Sequence, residues 1–303
     1  MPLQRRRLLA ALATAPFLPG CASPPWPAAP ATGTDDARAR ALLAGSAQAH
    51  GLPAFRRLKD INVAFSGQWR PLVARLQPDL VDADFRGVSE ERLLPAGGLM
   101  AQDHRGPAGH KQVLRRWPAD PRDLAAGAQG EVQVWRNGQS DAGPASRQAA
   151  ALVCDGYRLF LLGPMLLADV PGPLAPAEGA VVDDDACDAL HLMLRPGLGL
   201  SAADRLTLYI SRRSGLMRRV RLSLEGLAST AGAVAEVDLF DPVERQGVRW
   251  PTRFAERLLR PIPGLPVHDW QLTGLDLDRG YGAADLDGSG FGGAARLPAR
   301  PLA

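Results

Sequence analysis

The sequence predicts an α+β fold in which one antiparallel sheet carries helices on one face, and three observations predict it. About ten short segments alternate apolar and polar residues, as half-buried strands do. Turn residues separate these segments at close spacing. Helical patterns occur before the first strand and again in the middle of the chain. With 303 residues, of which 46% are hydrophobic and 22% charged, the chain is long enough to bury a sizeable core.

The amino terminus has the pattern of a bacterial lipoprotein signal peptide over residues 1–20. Arg5, Arg6 and Arg7 precede an apolar stretch, residues 8–15, that is too short to span a bilayer. Residues 18–21 resemble a lipobox, in which the peptide is cut before a cysteine that carries a lipid anchor such as palmitate. We therefore predict lipidation of Cys21. An ordinary signal peptide with a chance cysteine is the alternative, and both Sec and twin-arginine export stay open.

Residues 21–36 are predicted to form a proline-rich tether between the membrane and the folded domain, because they show no periodic pattern. Ala22, rather than aspartate, follows the cysteine, which by the enterobacterial sorting rule resembles an outer-membrane destination. The expected location is therefore the bacterial cell envelope. There the protein would be lipid-anchored in the outer membrane and would face the periplasm.

Two cysteines are left once Cys21 is assigned to the anchor. Cys154 and Cys187 are an even pair in an oxidising compartment, so we predict a disulfide between them. Two buried thiols are the alternative. No C-x-x-C or His-Cys spacing indicates metal binding or redox chemistry.

The first predicted element is a helix over residues 35–50, rich in alanine and leucine, that ends before Gly51 and Pro53. The first strand follows, because Ile61, Val63 and Phe65 alternate with other residues before Gly67. Turn signals lie between the later segments, at Asn137-Gly138, Arg213-Ser214-Gly215 and Gln246-Gly247. Further strands are predicted over residues 84–94, 111–117, 131–136, 190–194, 205–211, 218–224, 235–240, 248–259 and 270–278.

The most apolar segment, residues 148–170, is predicted to be a broken helix and not a membrane span. Asp155 and Arg158 interrupt it, and each charge near a bilayer centre would cost about 2.5–3.5 kcal/mol. Gly163-Pro164 would divide the helix into two pieces.

One face of the predicted sheet is apolar and the other is rich in arginine. Val220, Leu222 and Leu224 point one way, whereas Arg219 and Arg221 point the other. Something must therefore cover the apolar face, and the broken helix is the natural cover.

Three stretches of the chain, taken in order after the first helix and strand, carry a resemblance to a known family. They are the buried residues 157–164, the hairpin from Leu208-Tyr209-Ile210 through Ser214-Gly215 to Val220, and the turn at Gln246-Gly247-Val248. Together they resemble the LolA/LolB-like superfamily of bacterial periplasmic lipoprotein carriers and receptors, in particular its uncharacterised lipoprotein branch.

The resemblance implies an unclosed antiparallel half-barrel of about ten to eleven strands over residues 37–285, with helices covering its concave apolar face. It also implies that this face holds an acyl chain or another hydrophobic ligand. The chain differs from the classical carriers in its greater length, its anchor and its candidate disulfide. Residues 286–303, rich in glycine, alanine and proline, are predicted to be a flexible tail.

Several other activities are excluded. The net charge of +3 equals the contribution of the three arginines in the signal peptide, so the mature chain is neutral and gives no case for nucleic acid. Residues 197–202 match G-x-G-x-x-A, but a strand rather than a helix is predicted next, which argues against nucleotide binding. No G-x-S-x-G elbow is present, and His104 and His110 are expected to be solvated loop residues. We therefore predict no enzyme activity, no cofactor and no metal.

The remaining candidate site is a cavity beneath the helical cover, which is expected to bind a lipid, an acyl chain or an acylated protein. The alternative is an envelope scaffold or stress-sensing protein with a filled core that binds a protein partner; the sequence leaves the oligomeric state open. The predicted lining residues, all on apolar faces or in the cover, are Phe65, Val113, Trp135, Leu159, Phe160, Met165, Leu208, Val220, Leu222 and Phe254.

Overall fold

The computed structural model describes residues 35–118, 127–286, 293–299 and 301–302. The predicted signal peptide, Cys21 and nearly all of the tether therefore lie outside the described residues. The helices are α1 (Ala37–His50), α2 (Leu52–Phe55), α3 (Pro71–Leu76), α4 (Pro78–Val81), α5 (Pro144–Leu162) and α6 (Pro164–Leu167). The strands are β1 (Ile61–Trp69), β2 (Val88–Leu94), β3 (Leu99–Gly106), β4 (Gly109–Arg116), β5 (Glu131–Arg136), β6 (Gln139–Ser140), β7 (Leu174–Val182), β8 (Asp185–Leu194), β9 (Asp204–Ser211), β10 (Met217–Ser223), β11 (Val234–Phe240), β12 (Val243–Arg245), β13 (Val248–Trp250), β14 (Arg253–Arg260) and β15 (Leu265–Leu277).

Thirteen of these strands form one antiparallel sheet in the order β6-β5-β4-β3-β2-β1-β15-β14-β11-β10-β9-β8-β7. The sheet is unclosed, because β6 and β7 at its two ends do not pair with each other. Strands β12 and β13 form a separate two-stranded ribbon. The predicted α+β class and open half-barrel are thus confirmed, with more strands in the sheet than the ten or eleven expected.

Strands β1 and β15, the first and the last along the chain, lie side by side at the centre of the sheet. One buried carboxylate holds the start of β1 and the segment after β15 together. β1 pairs with β15 from Ile61↔Leu277 to Trp69↔His268. Asp60, just before β1, accepts backbone hydrogen bonds from Arg279, Gly280 and Tyr281 at 2.9–3.1 Å. Because this carboxylate is fully buried, these donors hold the segment after β15 against the start of β1.

The helical elements follow local signals in the sequence. Asp36 caps α1 by accepting a hydrogen bond from the Ala39 amide at 2.8 Å, and Gly51 ends it in the left-handed region with φ 95°. Gly163, with φ 46°, separates α5 from α6, and Pro164 begins the new helix. The predicted break of the long apolar helix is therefore confirmed.

The predicted hairpin turns are also confirmed. Asn137 and Gly138 both have positive φ, at 50° and 78°, as do Gln246 and Gly247, at 49° and 73°. A two-residue turn in which both residues have positive φ has a backbone twist that matches the right-handed twist of the flanking strands.

Several predicted strand boundaries were wrong. β2 begins at Val88, not at residue 84, and the 248–259 segment divides into β13 and β14 at Pro251 and Thr252. Strands β3 and β7 were not predicted. β3 is buried along both faces over its first six residues, so it lacks alternation, whereas the edge strand β7 contains Pro176 and Gly179.

The convex face carries the predicted arginines, but they are paired. Arg221 Nη2 lies 2.7 Å from Glu236 Oε2, and Arg257 Nη1 lies 2.8 Å from Asp238 Oδ2. Arg219 also contacts Asp238. Opposite charges on neighbouring strands therefore neutralise most of the positive charge on this part of the face.

Part of the predicted tail packs on the sheet. Leu297 donates a backbone hydrogen bond to the Thr273 carbonyl at 2.9 Å, and Ala295 accepts one from Leu275 at 2.8 Å. Arg296 forms an isolated bridge with Gly274 of β15. The composition of this segment does not predict such packing.

The concave face should be far more sensitive to truncation than the edge of the sheet. We expect Val220→Ala, at a fully buried position of β10, to lower the free energy of unfolding by about 2 kcal/mol, because apolar contact is lost and a cavity is left. Val181→Ala, 68% exposed on β7, should change it by less than about 0.5 kcal/mol. Urea unfolding measures both values, and equal effects would contradict the assignment of faces.

Candidate functional site

Two adjoining cavities lie between the α5–α6 helices and the sheet. The larger has a volume of about 300 Å³ and the smaller about 190 Å³. Pro95, Gly98, Trp117, Arg158 and Leu166 line both, and we call the two spaces together the paired cavity. The β2–β3 turn and the end of β4 form one side of the larger space, and the β8–β9 connection forms the other.

The walls of the paired cavity are mainly apolar. The larger space is lined by side chains of the two helices and of the β8–β9 connection, including Leu159, Leu167, Val170, Leu194 and Leu198. The smaller one is lined by Leu52, Phe55, Leu93, Leu94, Leu99, Leu162 and Met165. Such walls suit a hydrophobic ligand, and the volume of the larger space is at the lower end of the range of small-molecule sites.

A buried ion pair borders the larger space. Arg115 of β4 donates from Nε and Nη2 to the two carboxylate oxygens of Asp155 on α5, at 3.1 and 3.0 Å. Arg115 Nη2 also donates to the Gly199 carbonyl at 3.0 Å, and the Gly199 amide donates to Asp155 at 2.6 Å. The pair thus ties together α5, β4 and the β8–β9 connection.

Gly199 is required by this arrangement. Its φ of 66° lies in the left-handed region, and a Cβ there would meet the backbone nitrogen of Leu152 at 3.0 Å. The G-x-G-x-x-A match therefore reflects close packing of the connection against α5. The strand β9 follows it, as the sequence analysis predicted.

Trp117 and Arg158 lie next to this ion pair, and both residues line the two spaces of the paired cavity. The indole N–H of Trp117 donates to Asp155 Oδ1 at 2.8 Å, so the ring is fixed. The Arg158 guanidinium lies over that ring, 3.9 Å from its centroid, in a cation–π contact. Burial raises the pKa of Asp155 and lowers the pKa of Arg158 to about 10, at which Arg158 keeps its charge at neutral pH.

A second group of polar side chains lies on the concave face, away from the paired cavity. Gln102 donates to Glu91 Oε1 at 2.5 Å and accepts from the Cys154 thiol at 3.0 Å. His104 shares a hydrogen bond of 2.8 Å with Ser89. Together with Arg86 and Lys111, these residues form what we call the interior polar cluster.

Burial dominates the ionisation of the interior polar cluster. It raises the pKa of Glu91 to about 8 and holds the pKa of His104 well below its ordinary value. Glu91 Oε2 and two guanidinium nitrogens of Arg86 are buried and have no hydrogen-bond partner among the residues that the structure describes. The adjacent space, about 20 Å³ and lined by Arg86, Ser89 and Tyr157 among others, has room for about one water molecule.

The structure distributes the predicted lining residues unevenly. Leu159 lines the larger space of the paired cavity and Met165 the smaller one. Phe65 borders the 20 Å³ space beside the interior polar cluster. The others that face the concave side are buried in the main core and line neither space of the paired cavity: Val113, Phe160, Leu208, Val220, Leu222 and Phe254.

Trp135 does not face the concave side. It is half-buried and alternates along β5 with Val134, which belongs to the main core. Because successive side chains of a strand point to opposite faces, Trp135 lies on the convex face, and its assignment to the cavity was wrong.

The predicted disulfide was also wrong, because the sheet separates the two thiols. Cys154 is a buried free thiol in the main core, whereas Cys187 is a buried free thiol in a small cluster with Val182, Ala189 and Tyr209. The alternative of two buried thiols is the correct one. His104 and His110 are likewise strand residues and not solvated loop residues: His104 is buried, and His110 Nε2 lies 2.9 Å from Asp103 Oδ2.

The sequence analysis missed most of the paired cavity. Neither Trp117 nor Arg115 was among the predicted lining residues. The available signal was the pair Asp155 and Arg158, two charges within an otherwise apolar helix, which were used only to exclude a membrane span.

Within the described residues, no three His, Cys, Asp or Glu side chains come together as a metal site requires. Of the helices in the described ranges, none combines the length and apolar character needed to cross a bilayer.

Loss of the Asp155 charge should destabilise the protein strongly. We expect Asp155→Asn to lower the free energy of unfolding by about 3–5 kcal/mol, because Arg115, 1% exposed, is left buried without a counterion. Asp188→Asn, which breaks an exposed pair with Arg212, should cost less than about 1 kcal/mol. Similar values from urea unfolding for the two variants would show that the buried pair does not hold the helix and the sheet together.

Glu91 should make the protein less stable as pH rises above neutrality. Its pKa of about 8 in the folded protein exceeds the ordinary 4.5, so between these values the folded chain holds a proton that the unfolded chain has lost. Stability should therefore fall between about pH 7 and 8, a window in which unfolded histidines, with an ordinary pKa of about 6.5, are mostly neutral.

The Glu91→Gln variant tests this expectation. It should reduce the slope of unfolding free energy against pH by up to about 1.4 kcal/mol per pH unit, whereas the exposed control Glu131→Gln should leave it unchanged. An identical slope in the wild type and Glu91→Gln would contradict a protonated Glu91.

Comparisons with known proteins agree with the observed architecture. No protein-family model matches the sequence, and a search of curated proteins finds no match. Among solved structures, the chain is similar to a DUF1329 family protein from Desulfovibrio piger, with 13% identity, a TM-score of 0.51, and coverage of 86% of this chain and 100% of that one. It is also similar to a LolA superfamily protein from Nitrosomonas europaea, with 13% identity, a TM-score of 0.47, and coverage of 82% and 96%. At such identities the likeness concerns the fold alone, and the similarity to the DUF1329 family protein supports the observed architecture.

Proposed function

We propose that this protein is a lipid-anchored protein of the bacterial envelope that binds an acyl chain, a lipid or an acylated partner in the paired cavity. The observation that carries the proposal is the paired cavity itself: two adjoining spaces with mainly apolar walls between the helical cover and the sheet. Each CH₂ group moved from water into such a space contributes about 0.8 kcal/mol, so a modest length of chain gives useful affinity.

The envelope location is supported by the amino terminus. The arginines, the short apolar stretch and Cys21 have the order of a lipoprotein signal peptide. A cysteine anchor followed by a proline-rich tether would keep the half-barrel close to a membrane, which is a source of acyl chains. Attachment to the outer membrane and a role in lipid or lipoprotein trafficking are part of this proposal.

Binding rather than catalysis fits the chemistry of the paired cavity. Asp155 uses both its oxygens for Arg115, Trp117 and Gly199, so it is a structural group. The hydrogen-bonded Ser89 and His104 lie in the interior polar cluster, beside a space that has room for little more than a water molecule.

A protein-binding scaffold is the second candidate, and the filled part of the concave face favours it. Most predicted lining residues pack in the main core, and two large side chains of α3, Leu72 and Leu76, are 49% and 58% exposed. A scaffold would use such exposed apolar positions and would take up no lipid.

A variant that fills the paired cavity tests the proposal. Leu166→Trp adds bulk where both spaces meet. We expect it to weaken binding of an NBD-labelled fatty acid at least about tenfold, because the indole excludes several CH₂ groups of the ligand from the apolar space. Leu76→Trp makes the same change on an exposed helix and should bind as the wild type does.

Fluorescence titration gives the affinities, and native mass spectrometry with lipid extraction identifies any ligand that co-purifies. If the wild type takes up neither the labelled fatty acid nor any co-purifying lipid, the cavity proposal fails and the scaffold becomes the better account. Equal binding by the wild type and Leu166→Trp would place the ligand elsewhere.

A further inference from the structure

Arg158 carries a positive charge into the paired cavity, and no carboxylate of the described residues forms an ion pair with it, although the nearby charge of Asp155 favours its ionised form. Its side chain is half-buried and lines both spaces. Its contact among those residues is the face of Trp117, at 3.9 Å, and no hydrogen-bond acceptor or ion-pair partner is found for it there. As far as the described residues are concerned, the donors of the guanidinium are therefore available to a ligand.

The carboxylates that line the paired cavity are already engaged. Asp155 accepts two hydrogen bonds from Arg115, one from Trp117 and one from the Gly199 amide. Asp169, at the rim of the smaller space, pairs with Arg56 at 2.6 Å. These two pairs are neutral, so, of the charges on described residues, that of Arg158 is left as an excess positive charge in the paired cavity.

A second arginine extends this charge to the rim. Arg195, in the β8–β9 connection, lines the larger space and is exposed. Within the residues that the structure describes, no carboxylate pairs with it. The positive charge therefore runs from the interior of the larger space towards solvent.

We propose that the paired cavity binds an anionic amphiphile with one hydrophobic chain, and that Arg158 holds its carboxylate or phosphate head. The inference rests on the proposed function and names the class of ligand. A guanidinium presents its N–H groups as a planar fork that matches the oxygens of a carboxylate or a phosphate. Trp117, fixed by Asp155, would keep that fork in place.

The volume of the site favours a single chain. The spaces of about 300 and 190 Å³ adjoin on either side of Arg158 and are walled by leucine, proline and phenylalanine side chains. Sites for drug-sized ligands span about 300–1,000 Å³, so the paired cavity lies within the lower half of that range. The head would lie at the junction of the spaces and the chain along their apolar walls.

The test compares ligands that share a chain and differ in the head. Isothermal titration of the protein purified from cells uses palmitate, hexadecanol and a palmitoyl lysophosphatidic acid. We expect palmitate or the lysophospholipid to bind at least about tenfold more tightly than hexadecanol, because a hydrogen-bonded ion pair forms only with the anions. The tighter of the two anions identifies the head as carboxylate or phosphate.

Substitutions at Arg158 assign the effect to one side chain. Arg158→Met should bind the anionic ligands no more tightly than hexadecanol, and Arg158→Lys should retain part of the preference for the anions, since lysine keeps the charge without the fork. Arg147→Met, at an exposed position of the same helix, should bind all three ligands as the wild type does.

The outcomes are distinguishable. Equal affinity of the wild type for palmitate, the lysophospholipid and hexadecanol overturns the assignment of an anionic head but keeps the proposed function. A loss of all ligands alike in Arg158→Met, with the fold intact by circular dichroism, shows that Arg158 is only a wall residue. Binding of no amphiphile by the wild type overturns both. If Arg158→Met does not fold, the affinities of the wild type and of Arg158→Lys for the three ligands decide whether Arg158 holds an anionic head.

Discussion

The buried pair of Arg115 and Asp155 is the interaction on which the interior of this half-barrel depends. A carboxylate in the middle of an apolar helix is costly to bury unless its charge and its hydrogen bonds are both satisfied. Arg115, Trp117 and Gly199 supply four donors to it from two distant parts of the chain. The pair therefore sets where α5 lies across the concave face and which loops approach it.

The position of that helix divides the concave face into three regions. Over most of the sheet the apolar side chains of the strands and of α5 interlock in one core. Around Glu91 and Gln102 the face is polar, buried and hydrogen-bonded. Where α5 breaks at Gly163 and continues as α6, the helices and the β2–β3 turn leave the paired cavity open between them. The candidate ligand site is thus a consequence of how the helix ends.

The pattern of the chain predicted local features well, and features that depend on the path of the sheet poorly. Turns such as Asn137-Gly138 and the break at Gly163-Pro164 were predicted because a few adjacent residues decide them. Strand β3 was missed because both its faces are buried, which removes alternation. The disulfide failed because Cys154 and Cys187 lie on opposite sides of the sheet, and no spacing along the chain reveals that.

By itself the sequence determined the α+β class, the apolar and arginine-bearing faces and the broken helix, because each rests on near neighbours in the chain. Only the tertiary structure decided which apolar side chains fill the core and which line a space. Leu159 and Leu208 are both fully buried in the main core, yet Leu159 also borders the paired cavity and Leu208 does not. The same holds for charge: Arg115 and Arg158 differ because Asp155 lies within hydrogen-bonding distance of the former alone, and a distance between remote residues is set by packing.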